Sequence, residues 1–333
     1  MDVFDYVSDE GQVVLALCSA FALPENLSER DAAPFTLSEW NELEKSLESS
    51  SLKTPSELRS QSAEGLSKEL RITGDEAERI VRLLARSGRL ALELERLFSR
   101  GLWVVTRRDE RYPTRLRQTL KHQAPVVIFG AGDIRLLGKP GVAVVGSRNI
   151  DEAGTRFARA VGEKAVQARM AVVSGGARGT DRIAMDGALS AEGIAMGALA
   201  DSLEATVRKP DVRQYLEDDR LVLITPYAPN AGFSVGGAMG RNKVIYGLSE
   251  FAVVVSSDFQ TGGTWAGAME ALKGKWCSVF VRNSENSPKG NAELIKKGAV
   301  ALPENALNEI EDLAEWMREH SQPEPTEQDL FKL

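Results

Sequence analysis

Two apolar segments that each end in a glycine turn constrain the fold of this chain more than any other feature. Gly141-Val-Ala-Val-Val145 runs into Gly146-Ser147-Arg148, and Met170-Ala-Val-Val173 runs into Ser174-Gly-Gly-Ala-Arg-Gly-Thr-Asp181. The segment between them has apolar residues at helical spacing. A strand, a helix and a strand in this order predict two parallel strands with both glycine turns at one edge of a sheet.

The same alternation continues along the chain. Further apolar runs occur at residues 102–106, 125–130, 194–199, 221–224, 251–255 and 277–281. From residue 141 onward, helix-length segments separate them, which predicts an α/β fold with a doubly wound parallel sheet. A dinucleotide enzyme of this class needs G-x-G-x-x-G after its first strand and an acidic residue after its second. Here the first turn is Gly146-Ser147-Arg148 and the second strand ends in Ser174-Gly175, which argues against NAD.

Residues 1–100 predict a small helical domain. Apolar residues from Asp75 to Leu97 follow helical spacing, Thr73-Gly-Asp-Glu76 is a capping-box start, and Gly88 is expected to divide two helices. Packing against the neighbouring domain and binding a nucleic acid or protein partner are both open for this segment. The predicted domains are therefore residues 1–100, 101–302 and an acidic tail at 303–333.

Composition bounds the class of protein. The formal net charge of −7 resides in the tail, where nine acidic residues face two basic ones from Pro303 to Leu333, so the body is neutral. No apolar run approaches the ~20 residues of a membrane span, and the first residues lack the basic region of a signal peptide. We expect a cytoplasmic protein. The few cysteines and histidines predict no metal site, and no cofactor motif is present.

Glycine turns at strand ends and helix starts favour anion binding, because backbone N–H groups gather there. A further turn, Gln260 to Thr264, follows the strand that ends at Val255, and a glycine-rich segment introduces Arg241 and Lys243 near a helix start. Solvated surface charge is the alternative explanation for these cations. The residues expected to contact phosphate are Gly146, Ser147, Arg148, Ser174, Gly175, Gly176, Arg178, Arg241, Asn242, Lys243, Thr261, Gly262, Gly263 and Thr264. No catalytic residue is predicted.

An ordered set of motifs between residues 100 and 302 resembles the DNA-processing protein A (DprA, Smf) family. The set comprises Tyr112-Pro113, Gly146-Ser147-Arg148, Ser174 to Asp181, Arg241-Asn242-Lys243, Thr261-Gly262-Gly263 and Asn291. The resemblance implies an extended Rossmann-like domain that binds single-stranded DNA without catalysis. It also implies a homodimer and a RecA-type recombinase as partner. The N-terminal helices resemble the small SAM-like or helix-hairpin-helix module of many members.

The chain departs from the family pattern at several positions. Gly176 and Thr180 replace apolar residues, and Met185 stands where a histidine is common. These departures indicate a divergent member, for which defence against foreign DNA is an alternative to transformation. A nucleotide sensor or a nucleotide phosphoribohydrolase is a second alternative, since Gly262-Gly263-Thr264 with Glu270 loosely matches the hydrolase motif. A protein-interaction scaffold is the third.

The tail carries its own prediction. Pro303 to Ser321 predicts one more helix, and Glu327, Gln328, Asp329, Leu330 and Phe331 resemble the bacterial sliding-clamp-binding motif. Glu327 stands where that motif has glutamine. The alternatives are a tail that folds back onto its own domain and an acidic lid over a basic crevice.

Overall fold

A computed structural model describes residues 7–23 and 33–321 of the chain. The strands in this part are β1 (Leu102–Thr106), β2 (Val127–Ala131), β3 (Gly141–Gly146), β4 (Ala171–Ser174), β5 (Ala195–Ala198), β6 (Leu221–Thr225), β7 (Phe251–Ser256), β8 (Ser278–Asn283) and β9 (Val300–Pro303).

The α-helices in the same ranges are α1 (Asp9–Cys18), α2 (Leu37–Ser49), α3 (Ala63–Leu70), α4 (Gly74–Leu84), α5 (Ser87–Ser99), α6 (Thr114–Leu120), α7 (Glu152–Gln167), α8 (Thr180–Ser190), α9 (Leu203–Thr206), α10 (Pro210–Glu217), α11 (Val235–Leu248), α12 (Gly262–Gly274), α13 (Lys289–Lys296) and α14 (Leu313–His320). The helix predicted within residues 303–321 is α14. The clamp-like segment, residues 327–331, lies outside the described residues.

The chain divides into two compact units. The first unit comprises Met1–Gly138 and Ala198–Val244, and the second comprises Lys139–Gly197 and Ile245–Leu333. Both units are therefore built from two separate stretches of sequence. The two units are defined by packing in space, so they do not test the domain boundaries predicted at residues 100 and 302. Those boundaries stay predictions.

The second unit contains a parallel run of strands in the order β5-β4-β3-β7-β8-β9. Val142, Ala143 and Val144 of β3 are fully buried between β4 and β7. Helices α7 and α8 pack against each other so closely that a Cβ on Gly162 would lie 2.4 Å from the carbonyl oxygen of Ala184. The predicted α/β fold is confirmed. Strand β9 is not among the predicted strands; it ends in Pro303, a residue that ordinarily marks the end of a strand.

The first unit contains antiparallel strands. β1 pairs with β2, and β2 pairs with β6, both antiparallel. Trp103 lies opposite Gly130 in this register, and a Cβ at Gly130 would lie 2.3 Å from the indole ring. The indole Nε1 donates to the carbonyl of Gly132 at 2.8 Å. The tryptophan ring thus requires glycine at position 130 and helps to fix the pairing.

The N-terminal helices belong to the same unit as β1 and β2. Asp109, which is buried, accepts hydrogen bonds from the amide and hydroxyl of Ser8 at 2.8 and 2.6 Å. It also accepts from the amide and hydroxyl of Thr106, both at 2.7 Å. Because Ser8 also caps α1, one carboxylate joins the start of that helix to the end of β1. This contact favours the packing interpretation of the helical segment.

A buried arginine binds backbone carbonyls at the C-terminal end of α1. Arg86 donates to the carbonyl of Ser19 at 2.7 Å, to that of Phe21 at 2.6 Å, and to that of Ala16. Its burial lowers the pKa of the guanidinium to about 10. Arg86 lies at the break between α4 and α5, so this break precedes the expected position, and Gly88 falls in the first turn of α5.

Two capping boxes begin helices in this segment. The predicted box at Thr73 and Glu76 opens α4, and Thr36 and Glu39 form a second one at α2. The carboxylate of Glu39 also accepts from Nη1 of Arg79 at 2.7 Å. This hydrogen bond lowers the pKa of Glu39 to about 2. Glu39 therefore links the start of α2 to α4.

We predict that Glu39→Gln lowers the stability of the protein at neutral pH. Because folding depresses the pKa of Glu39, its contribution is complete above about pH 4.5 and is lost as the pH falls toward about 2. The melting temperatures of the two proteins should therefore differ at pH 7 and converge with acidification, when both are followed by circular dichroism. The exposed Glu42→Gln on the same helix is the control. A difference that persists unchanged at pH 3 would contradict the role of the carboxylate.

Candidate nucleic-acid interface

Three of the predicted glycine turns lie side by side in the second unit. Gly146–Arg148 ends β3, Ser174–Arg178 follows β4, and Thr261–Thr264 follows β7. Because β4, β3 and β7 are adjacent and parallel, their carboxyl ends share one edge of the sheet. This is the edge at which open α/β sheets bind ligands.

The turns after β3 and β4 interlock. The amide and hydroxyl of Thr180 both donate to the carbonyl of Ser147, at 3.3 and 3.1 Å. A Cβ at Gly146 would lie 2.5 Å from the Thr180 hydroxyl. Gly179 has a φ of +88°, and a Cβ there would lie 2.5 Å from the carbonyl oxygen of Arg148. Glycine is favoured at both positions, because a Cβ at Gly146 would meet the Thr180 side chain and a Cβ at Gly179 would meet the backbone of Ser147 and Arg148.

Several residues that are predicted to contact phosphate form hydrogen bonds within the protein through their polar groups. The amide of Ser147 donates to the carbonyl of Ser256 at 2.9 Å, and the amide of Gly175 donates to the carboxylate of Asp181 at 3.1 Å. Ser174 is fully buried, and its hydroxyl donates to the carbonyl of Val144 at 2.6 Å. Ser174 and Gly175 therefore shape the turn, and nearby side chains present the positive charge.

The side chains around the interlocked turns line a surface concavity of about 780 Å³. Its lining includes Arg148 from the first turn, Arg178 from the second and Arg182 from α8, with Asp151 as the one carboxylate. We call this hollow the arginine concavity. Nη2 of Arg178 donates to Oδ1 of Asn149 at 2.8 Å, which ties the two turns together at the rim. Three guanidinium groups against one carboxylate make the surface suited to an anion.

Arg182 and Asn149 also line this concavity, and they are not among the residues predicted to contact phosphate. Arg182 lies in the first turn of α8, which begins at Thr180, so its position directly after the glycine turn is the signal in the sequence. Nε of Arg182 lies 3.0 Å from the carboxylate of Asp186. Both side chains of that pair are about 40% exposed, so the ion pair is weak and its arginine can accept a second anionic partner.

The third turn is more exposed than the other two. Thr261, Gly262 and Gly263 are exposed at the start of α12, where Gly262 has a φ of +78° and no side chain caps the helix. Phe259 meets Trp265 edge to face at 5.2 Å, and Nζ of Lys289 lies 4.9 Å from the centre of the Phe259 ring. The predicted turn is thus flanked by the aromatic pair Phe259 and Trp265 and by the ammonium group of Lys289.

The remaining predicted residues lie in the first unit, on α11. Arg241 is buried at 5% exposure, whereas Asn242 and Lys243 are half-buried. Burial raises the pKa of the Tyr227 hydroxyl, and the charge of Arg241 opposes this shift. The Tyr227 hydroxyl donates to the carbonyl of Gly237 at 2.7 Å. Arg241 therefore neighbours Tyr227, which packs against α11.

Two properties of the described residues bear on the class of site. No helix within them is both long and apolar enough to cross a bilayer. Across residues 7–23 and 33–321, no three His, Cys, Asp or Glu side chains are grouped so that they would hold a metal ion.

Comparison with known proteins gives one family and several relatives. The family model of DNA recombination-mediator protein A matches residues 103–316. DNA processing protein DprA of Streptococcus pneumoniae is 31% identical over 159 residues, which cover 46% of this chain and 54% of that protein. Protein Smf of Escherichia coli is 26% identical over 230 residues, or 67% of this chain and 61% of that protein. The chain thus spans just over half the length of these relatives.

Two solved structures share the fold. The X-ray structure of DprA from Streptococcus pneumoniae aligns with a TM-score of 0.56 at 20% identity, over 87% of this chain and 99% of that one. DNA processing protein A from Helicobacter pylori, whose structure concerns its single-stranded DNA binding mode, aligns with a TM-score of 0.53 at 21% identity, over 66% of this chain and 97% of that one.

We predict that Gly179→Ala disturbs the arginine concavity. Alanine at a φ of +88° and 2.5 Å from the Arg148 carbonyl forces the turns apart, at a cost on the order of 1–3 kcal/mol. Chemical denaturation should show this loss. Gly138→Ala is the control, because its Cβ meets nothing within 4 Å. Equal stability of the two variants would show that the turns do not depend on this contact.

Proposed function

Because the chain belongs to the DNA recombination-mediator protein A family, we propose that it binds single-stranded DNA through phosphates at the arginine concavity. The observation that carries this proposal is the meeting of Arg148, Arg178 and Arg182 at the carboxyl edge of β3 and β4. A relative from Helicobacter pylori that shares the fold is a single-stranded DNA-binding protein. The ligand and the site are thus supported by separate observations.

Guanidinium groups suit this ligand for a physical reason. Each presents planar donors that match two phosphate oxygens, and neutralising phosphates releases condensed counterions. Contacts of this kind read the backbone and not the bases, so binding is independent of sequence. The pairing of Arg182 with Asp186 is no obstacle, because an exposed ion pair contributes at most about 1 kcal/mol.

The other predicted residues offer further contacts within each unit in this proposal. The exposed start of α12, at Thr261, Gly262, Gly263 and Thr264, offers backbone amides to a phosphate. In the first unit, Asn242 and Lys243 supply a further polar and a cationic contact. The protein acts in this proposal as a non-catalytic binder in DNA processing. A RecA-type recombinase, a second copy of the chain and the sliding clamp are proposed partners that rest on the resemblance alone.

We predict that Arg148→Ala and Arg182→Ala each weaken binding to single-stranded DNA about tenfold, and the double variant more, because each removes hydrogen bonds between charged groups. Each lost phosphate contact should also reduce the slope of log affinity against log salt by about 0.7. Fluorescence anisotropy with a labelled oligonucleotide, at several salt concentrations, measures both quantities. All sequences should be affected alike.

Arg96→Ala is the matched control for these variants. Arg96 is 66% exposed on α5 and pairs with Glu93, so its loss removes the same charge without touching the concavity. The proposal is wrong if the double variant keeps the affinity and salt slope of the wild type, or if Arg96→Ala is equally impaired.

The hydrolase alternative makes a separate prediction. We expect no free base when the protein is incubated with nucleoside monophosphates and the products are separated by chromatography. Release of base that disappears in Thr264→Ala or Glu270→Gln would establish the alternative, since those side chains carry the loose hydrolase motif. Release that persists in both variants would indicate a contaminating enzyme.

A further inference from the structure

The arginine concavity contains one carboxylate that opposes its other charges. Asp151 lines the hollow together with Arg148, Arg178 and Arg182. Its side chain is 56% exposed, so its charge acts on the solvent in front of the site. Two unit charges a few ångströms apart interact appreciably even in water. An uncompensated Asp151 would therefore repel the anion that the three arginines attract.

Asp151 has a structural reason to lie at this position. Its Oδ1 accepts a hydrogen bond from the amide of Gly154 at 2.7 Å, which caps the first turn of α7. A negative charge at the start of a helix also interacts favourably with the helix dipole. The carboxylate thus helps to begin α7, and its effect on a bound anion has to be offset by another residue.

A buried cation lies directly behind this carboxylate. Arg282 belongs to β8 and its side chain is 1% exposed, and its Nη1 lies 3.6 Å from Oδ1 of Asp151. The same Nη1 would lie 2.9 Å from a Cβ on Gly154, so the guanidinium packs against the first turn of α7. Its Nη2 has no hydrogen-bond partner. A packed apolar side chain would cost less at such a position, which indicates that the charge of Arg282 has a use.

Arg282 is shared with a second carboxylate. Its Nε donates to Oε2 of Glu304 at 2.8 Å. Glu304 follows β9, and it is not one of the residues that line the concavity. One guanidinium therefore stands between a carboxylate of the concavity and a carboxylate outside it, so its charge is divided between the two.

We propose that Arg282 is a positioning residue of the phosphate site, which holds the Asp151 carboxylate at the start of α7 and offsets its charge. The concavity then presents its arginines to an anion with less opposition. Arg282 acts through Asp151 and not on the ligand, because only 1% of its side chain is exposed. This role rests on the proposed function and adds the reason why a phosphate site tolerates a carboxylate.

The first test is a double-variant cycle followed by fluorescence anisotropy with a labelled single-stranded oligonucleotide. Arg282→Gln should weaken binding about fivefold, which is the order of effect of one unit charge close to a phosphate in water. Arg282→Lys should restore most of the affinity, since it keeps the charge. In an Asp151→Asn background, Arg282→Gln should have no effect, because the charge that it offsets is gone. Asparagine also caps helices, so α7 keeps its start. An equal loss in both backgrounds would overturn the proposal.

Glu304→Gln tests the same role without removing the buried arginine. It leaves the charge of Arg282 to Asp151 alone, so binding should tighten about twofold although the melting temperature falls. Damage to the structure alone would not tighten binding, so weaker or unchanged binding contradicts the proposal, even where Arg282→Gln does not fold. Arg86→Gln is the control, because it removes another buried arginine and should lower the melting temperature without changing affinity.

The two levels of inference fail in different ways. If the wild type does not bind the oligonucleotide, the proposed function fails and the role of Arg282 fails with it. If the wild type binds and Arg148→Ala weakens binding, but Arg282 and Asp151 show no coupling, the phosphate site stands and only the role of Arg282 is wrong.

Discussion

The hydrogen bonds from Thr180 to the carbonyl of Ser147 are the contact on which the candidate site depends. They join the turn after β3 to the first residue of α8, and they hold only because Gly146 and Gly179 have no side chain in the gap. Arg148 is attached to one side of this joint, and Arg178 and Arg182 to the other. The three cations converge because two backbones touch.

This joint is also the part of the molecule that the sequence predicts best. A buried parallel strand is apolar throughout, and the turn that ends it needs residues that permit tight geometry. Both signals are present between Gly141 and Asp181, so strands, turns and their common edge follow from the residues. The capping box at Thr73 is predictable for the same reason, since the motif is local and its hydrogen bonds join residues three apart.

The hydrogen bonds that shape the turn cannot be read from the residue pattern. The sequence does not show that the amide of Gly175 donates to Asp181 or that the hydroxyl of Ser174 donates to Val144, and it predicts phosphate contacts for both residues. The antiparallel pairing of β1 and β2 depends on an indole ring that lies over Gly130. Arg182 is not among the predicted residues, because an arginine in a helix is ordinarily a solvated charge and only the fold brings it to the concavity.

Net charge is a poor guide to such a surface. The acidic surplus of the chain is local. Glu309, Glu311, Asp312, Glu315 and Glu319 line a hollow of their own, of about 480 Å³, around Trp316. The arginine concavity has the opposite sign within the same unit. A chain with a formal charge of −7 can therefore present a cationic site, because the field near a surface is set by the closest charges when salt screens the rest.

The triplet Arg241-Asn242-Lys243 shows why a motif should be divided into its side chains before it is interpreted. Consecutive residues on a helix point about 100° apart, so three neighbours do not share one face of the helix. Arg241 is buried beside Tyr227, whereas Lys243 is half-buried. The two side chains therefore have different surroundings on the same helix. The resemblance to a family supplies the triplet as a whole, and the geometry distinguishes the surroundings of its members.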